Sequence, residues 1–175
     1  MLGLSVASHA QAVPTATRPI RLQVGGGFSF ATPDYAQRKI EGFTGYADLD
    51  LTHKLGIEAE YHYISVITPT DIGENTILLG VRYSVFHHTR YNAYVKGLGG
   101  IGQFQYQSGS YANPHTDTFG AYAIGGGIEV RATEHINVRA FDFEAQKWPG
   151  YVTPGYVNTG GISPYVSTIG VAYVR

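Results

Sequence analysis

Four groupings of side chains in this 175-residue chain have types that could do chemistry. His62 precedes Ser65, and His115 follows Ser108 and Ser110, so an imidazole base stands near a hydroxyl nucleophile in two places. Hydrolysis needs such a pair within hydrogen-bond reach and a third group to orient the base. The adjacent pair His87 and His88 offers nitrogen ligands to a metal ion. The glycine runs Gly25–Gly27 and Gly125–Gly127 have the composition of a loop that wraps phosphate.

None of these sets is complete. On an extended chain His62 shares a face with Glu58 and Glu60, while Ser65 falls on the opposite face. His115 lies in a Gly, Ser and Asn-rich stretch with nothing to orient it. His87 and His88 point apart in a tight turn, where turn chemistry explains them without a metal. Neither glycine run carries the Lys and Ser/Thr of a phosphate loop or opens a helix, and strand glycines serve to bend a sheet and let bulky neighbours pack. We therefore expect no catalytic residues, no metal and no cofactor. Cysteine is absent, which removes disulfides and thiol chemistry. A net charge of -1 and a pI near 6.6 give no electrostatic reason to expect nucleic acid as a partner.

The elements that would carry these residues are strands. A two-residue period recurs in eight stretches: 20–31, 40–52, 55–66, 75–86, 90–104, 118–131, 135–147 and 162–175. In the first, Leu22, Val24, Phe28 and Phe30 oppose Arg21, Gln23 and Ser29. In the third, Leu55, Ile57, Ala59, Tyr61 and Tyr63 oppose Glu58, Glu60 and His62. The seventh breaks phase, because Phe141 and Phe143 fall in step with Arg139; a β-bulge that shifts the register restores the pattern better than aromatics turned inward. Connections alternate between short turns (52–54, 87–89, 132–135) and long loops rich in Gly, Pro, Asn and Ser (32–39, 67–75, 107–117, 148–163). An even number of long antiparallel strands with short turns at one end and long loops at the other is the layout of an all-β, eight-stranded up-and-down transmembrane barrel over residues 20–175.

Composition decides which face meets water. Charged residues are 14% of the chain, against about 25% in soluble domains, and the polar faces carry mainly Gly, Ser, Thr and Asn. A soluble lipocalin-like barrel, with its apolar face inward, would need far more Lys, Glu and Asp outside. The apolar rows are thus expected to face lipid, and a narrow lumen to hold paired charges. Glu129 faces Arg139 across the 132–135 turn, and Arg82 lies within reach of Glu58 and Glu60; with Lys96 these form the predicted lumen ion pairs that plug the barrel. Phe30, Phe43, Tyr61, Tyr63, Phe119 and Tyr165 toward the loops, and Tyr83, Tyr91 and Tyr173 toward the turns, are expected to form two interfacial aromatic girdles.

With this periodicity and loop alternation the chain resembles the small bacterial outer-membrane β-barrel family, similar to the OmpA-type transmembrane domain. The closing stretch "STIGVAYVR" resembles that family's last strand, although Tyr173 is followed by Val174 and Arg175 where an aromatic residue usually closes it. The resemblance implies insertion in the bacterial outer membrane, outer-membrane lipid as partner, and a structural envelope role with surface-exposed loops and no second, peptidoglycan-binding domain. Residues 1–19 read in two ways: "MLGLSVASHAQA" ends on a small-x-small cleavage pattern, as a signal-peptide remnant does, or the segment is a retained N-terminal arm. In the second case the arm docks on another copy, and the chain becomes a homo-oligomer or surface fibre.

Overall fold

The computed structural model describes residues 20–33, 39–67, 72–106, 116–152 and 160–175, and every regular element among them is a strand. The strands are β1 (Arg21–Thr32), β2 (Ile40–Asp50), β3 (Leu55–Ile67), β4 (Gly73–His87), β5 (Tyr91–Gln105), β6 (Thr116–Arg131), β7 (Ile136–Lys147) and β8 (Tyr165–Val174). Each pairs antiparallel with its chain neighbour, and β1 closes on β8 from Gln23↔Val174 to Thr32↔Tyr165. Closure leaves no strand edge with unpaired backbone groups, the condition that a hydrocarbon solvent imposes. Residues 1–19 lie outside the described residues, as do Ser108, Ser110 and His115.

The two faces separate by polarity in the sense the composition predicts. Ile77, Leu79 and Val81 stand outward on β4 while Thr76 and Arg82, on either side of them, are buried. Tyr61 and Tyr63 stand outward on β3, with Glu58, Glu60 and His62 buried. An outer surface of Leu, Ile, Val and Tyr over a charged interior is the inverse of a soluble lipocalin-like barrel, so that alternative is excluded.

The bulge expected in the seventh stretch is present. Arg139 pairs with Glu129, but the next paired residue of β7 toward β6 is Phe141, opposite Ile128. Toward β8 the register steps from Arg139↔Gly170 to Asp142↔Thr168. One residue is absorbed there, so Phe141 and Phe143 turn to the outside and Asp142, Glu144 and Gln146 turn in.

Eight of the nine predicted girdle residues lie on the outer face: Phe30, Phe43, Tyr61, Tyr63, Tyr83, Tyr91, Tyr165 and Tyr173. Tyr61 sits at the middle of β3, and Phe143 stacks on Tyr165 with ring centroids 5.7 Å apart. Phe119 does not belong with them. It is in phase with the buried Ala121 and Ala123, so its ring enters the barrel and meets Tyr151 at 5.4 Å.

Candidate functional site

The barrel interior is the place where the chain concentrates functional groups. Strand parity sends one residue in two inward, and the closed wall brings residues from β2, β3, β4, β5, β6 and β7 onto a common axis. Arg82, Lys96 and Arg139 stand there among Asp48, Glu58, Glu60, Glu129, Asp142 and Glu144, all of them buried. Arg139 Nη1 donates to Glu58 Oε1 and to Glu60 Oε1, each at 2.8 Å, and its Nη2 donates to Asp48 Oδ2 at 3.0 Å. Lys96 Nζ lies 2.8 Å from Glu60 Oε1, 2.9 Å from Asp142 Oδ1 and 2.7 Å from Glu144 Oε1.

Arg82 takes partners other than the expected ones. Its Nη1 donates to Asp48 Oδ2 at 2.8 Å and to Glu129 Oε1 at 3.0 Å, and its Nη2 donates to Glu129 Oε2. Glu58 and Glu60 are held instead by Lys96 and Arg139. Hairpin register puts Arg82 on β4 beside β3, but its guanidinium reaches past that neighbour to β2 and across the lumen to β6. The predicted contact between Glu129 and Arg139 is present at 3.4 Å, as a secondary arm of the same network.

The glycine runs make room for two tyrosines. Gly25 pairs directly with Tyr46, and Gly127 directly with Tyr94. A Cβ on Gly25 would stand 2.5 Å from the Tyr46 ring, and one on Gly127 would stand 2.7 Å from the Tyr94 hydroxyl. The rings lie against the bare backbone and each carries a guanidinium on its free face: Arg139 lies 3.6 Å from the Tyr46 centroid and Arg82 lies 3.7 Å from that of Tyr94. Such stacking spreads the cationic charge over a ring while the guanidinium edge remains available to the carboxylates. Gly25 and Gly127 therefore serve packing.

Toward the turn end, Gln23 donates to Asp48 at 2.5 Å and accepts from Asn137 Nδ2 at 2.9 Å. Below them a polar cavity of about 50 Å³ is lined by Arg21, Asp50, His87, Arg90 and Arg131, among others. Toward the loop end the interior turns apolar. Trp148 is fully buried over Gly102, and it packs with Phe104, Tyr106, Tyr151, Leu78 and Ile162. Gly161, at φ +84°, lets the chain return against the Trp148 carbonyl, where a Cβ would stand at 2.2 Å.

His62 is inside, as its parity requires, whereas Ser65 donates to Asn75 Oδ1 at 3.1 Å and has no part in an imidazole pair. The imidazole meets another hydroxyl: Nδ1 lies 2.7 Å from Thr44 Oγ1, and Thr44 is linked through Ser29 to Thr168. Thr44, His62 and Glu144 thus follow one another in the order of a hydrolytic relay, with His62 Nε2 at 3.4 Å from Glu144 Oε1. Thr44 and His62 are both buried within the packed lumen, away from any surface where a substrate could lie. His88 stacks on Phe86 at 6.4 Å in its turn.

Asp142, Glu144, Asp48, Tyr46 and Tyr94 belong to the network beyond the predicted set. The phase break at Phe141 was the signal for the first two, since a bulge that turns the phenylalanines out must turn the neighbouring acids in.

Residues 1–174 match the family described as the outer membrane protein beta-barrel domain. The chain belongs to that family. It is a bacterial outer-membrane β-barrel, and solved structures repeat its architecture. Neisserial surface protein A is 14% identical, with 88% of this chain and 96% of that one covered at a TM-score of 0.61. The N-terminal β-barrel domain of OprF from Pseudomonas aeruginosa is 13% identical, with 89% and 97% covered and a TM-score of 0.61. The attachment invasion locus protein Ail of Yersinia pestis, in complex with the heparin analogue sucrose octasulfate, is 12% identical, with 89% and 99% covered and a TM-score of 0.57. At these identities the likeness is one of fold. No curated protein sequence matches the chain.

Proposed function

We propose that this chain is a non-enzymatic structural barrel of the envelope, closed to solute flow, with its long loops at the cell surface and its short turns in the periplasm. One observation carries the reading: Arg82, Lys96 and Arg139, bound to buried carboxylates from β2, β3, β6 and β7, fill the middle of the lumen. An eight-stranded wall leaves an interior only wide enough for side chains, and here charged ones span it. Outer-membrane lipid is the partner of the exposed Leu, Ile, Val and Tyr rows, with the outward aromatics other than the mid-strand Tyr61 as girdles at the two headgroup levels.

The test is conduction. Purified protein refolded into planar bilayers should raise no steady single-channel steps above the bare membrane. Sizeable steps that scale with protein added would overturn the closed lumen.

A further inference from the structure

We propose that Glu60, His62 and Glu144 form a buried binding site for one divalent transition-metal ion, with zinc as the ion that fits best.

The charge of the layer is the first argument. Asp48, Glu58, Glu60, Glu129, Asp142 and Glu144 face Arg82, Lys96 and Arg139, so six carboxylates meet three permanent cations in an interior shielded from water. Negative charge is left over when His62 is neutral, and burying uncompensated charge is costly. One divalent ion offsets two of those charges.

Geometry places it. Glu60 and His62 are two residues apart on the inward face of β3, and the β7 bulge brings Glu144 to them from the other side. One donor atom from each lies within 4.8 Å of the others. His62 Nε2 stands 3.5 Å from Glu60 Oε2 and 3.4 Å from Glu144 Oε1. An imidazolium hydrogen-bonded to carboxylate would sit at about 2.7–2.9 Å. Tetrahedral ligands at about 2.0–2.1 Å from a zinc ion stand about 3.3–3.4 Å from one another. The two distances from His62 Nε2 are those between ligands of one ion.

The remaining bonds agree. Neither His62 Nε2 nor Glu144 Oε1 has a hydrogen-bond partner among the described residues, and both are fully enclosed. Glu144 Oε1 touches the Lys96 ammonium at 2.7 Å without hydrogen-bond geometry, so this carboxylate would bridge ammonium and metal. On the far side of the ring, Nδ1–H can donate to Thr44 Oγ1 at 2.7 Å, which leaves the Nε2 lone pair directed at the carboxylates. A ligating histidine is ordinarily oriented by such a bond from its other nitrogen. Lys96 Nζ also donates to Glu60 Oε2 at 2.9 Å, so both Glu60 and Glu144 would bridge ammonium and metal, and the second group of acids, Glu58, Glu60 and Asp142, differs in offering no nitrogen ligand. Calcium is a poor fit, since it takes about six to eight oxygen ligands and this site offers two carboxylates and a nitrogen.

The ion would be taken up as the barrel closes, and its retention is a separate measurement from conduction. The protein is refolded from urea into detergent micelles with zinc, passed through a chelating resin, and assayed for zinc per barrel; a cobalt-loaded sample is read by visible absorption. The expected result is about one chelator-resistant zinc per barrel and the intense visible band of tetrahedral cobalt. His62→Gln should lose both, while the exposed double variant His87→Gln/His88→Gln should keep both. Zinc content equal in wild type and His62→Gln, or cobalt showing only the weak spectrum of its hydrated ion, would overturn the site. Trp148 emission and the gel shift on boiling report whether each variant has folded. Should His62→Gln fail to fold, the wild-type zinc content and cobalt spectrum decide the matter.

Discussion

Arg139 donates to Glu58, Glu60 and Asp48 while its guanidinium lies 3.6 Å from the Tyr46 centroid. Removing it leaves those carboxylates facing one another in a medium that screens poorly. The loss of one partner of a buried ionic group typically costs about 3–5 kcal/mol. Arg139→Leu should therefore lower the urea midpoint of the folded barrel by an amount corresponding to that range, while Arg131→Leu, at an exposed turn position, should shift it by no more than about 0.5 kcal/mol. Equal effects from both would show that the network contributes little. Gly25 makes a second residue-scale case, because the Tyr46 ring occupies the space where a side chain would begin. Gly25→Val should displace that ring from beneath Arg139 and destabilise by about 1–3 kcal/mol, as overpacking does. Unchanged urea unfolding would mean the ring has another place to lie.

Strand β7 shows what one extra residue does at the scale of an element. Ahead of the bulge, Asn137 and Arg139 point inward; beyond it, Asp142, Glu144 and Gln146 do. A strict two-residue period would have put both acids against hydrocarbon and both phenylalanines in the lumen. The bulge also supplies two of the four carboxylates around Lys96. Deleting Ala140 should remove the extra residue and let a regular two-residue period run on from Arg139, with Asp142 and Glu144 still inward and Phe141 and Phe143 still outward. The expected outcome is a chain that refolds and migrates on an unboiled gel as the wild type does. A variant that stays at its unfolded position would show that the bulge itself is needed for closure.

As a whole molecule the barrel is stable only in a solvent that accepts its exterior. Ile124 and Leu79 are 69% and 60% exposed, and the rows they belong to run round the wall. An arginine near the middle of that band costs about 2–4 kcal/mol in a bilayer and much less near a headgroup. Leu79→Arg should therefore reduce folding stability in lipid vesicles by about that amount, whereas Lys54→Ala at a turn should leave it nearly unchanged. A wild-type stability insensitive to the arginine would mean that this face is turned away from acyl chains. Closure through β1 and β8 also explains why unboiled protein should run anomalously fast: no free edge offers a place for detergent-induced opening to begin.

Alternation by itself settled a great deal here. A period of two assigns each residue to a face, and scarce charge assigns the polar face to the interior; strand number, turn positions, the bulge and the inward set containing Glu58, Glu60, Arg82, Lys96, Glu129 and Arg139 all follow from those facts. Partner choice is of another kind. Register along a hairpin relates neighbouring strands, while contacts across a lumen depend on how the closed sheet tilts and which heights it brings opposite one another. For that reason Arg82 finds Asp48 and Glu129, and His62 finds Glu144. Those pairings are made by atoms far apart in the chain, and only the closed wall gives them a common axis.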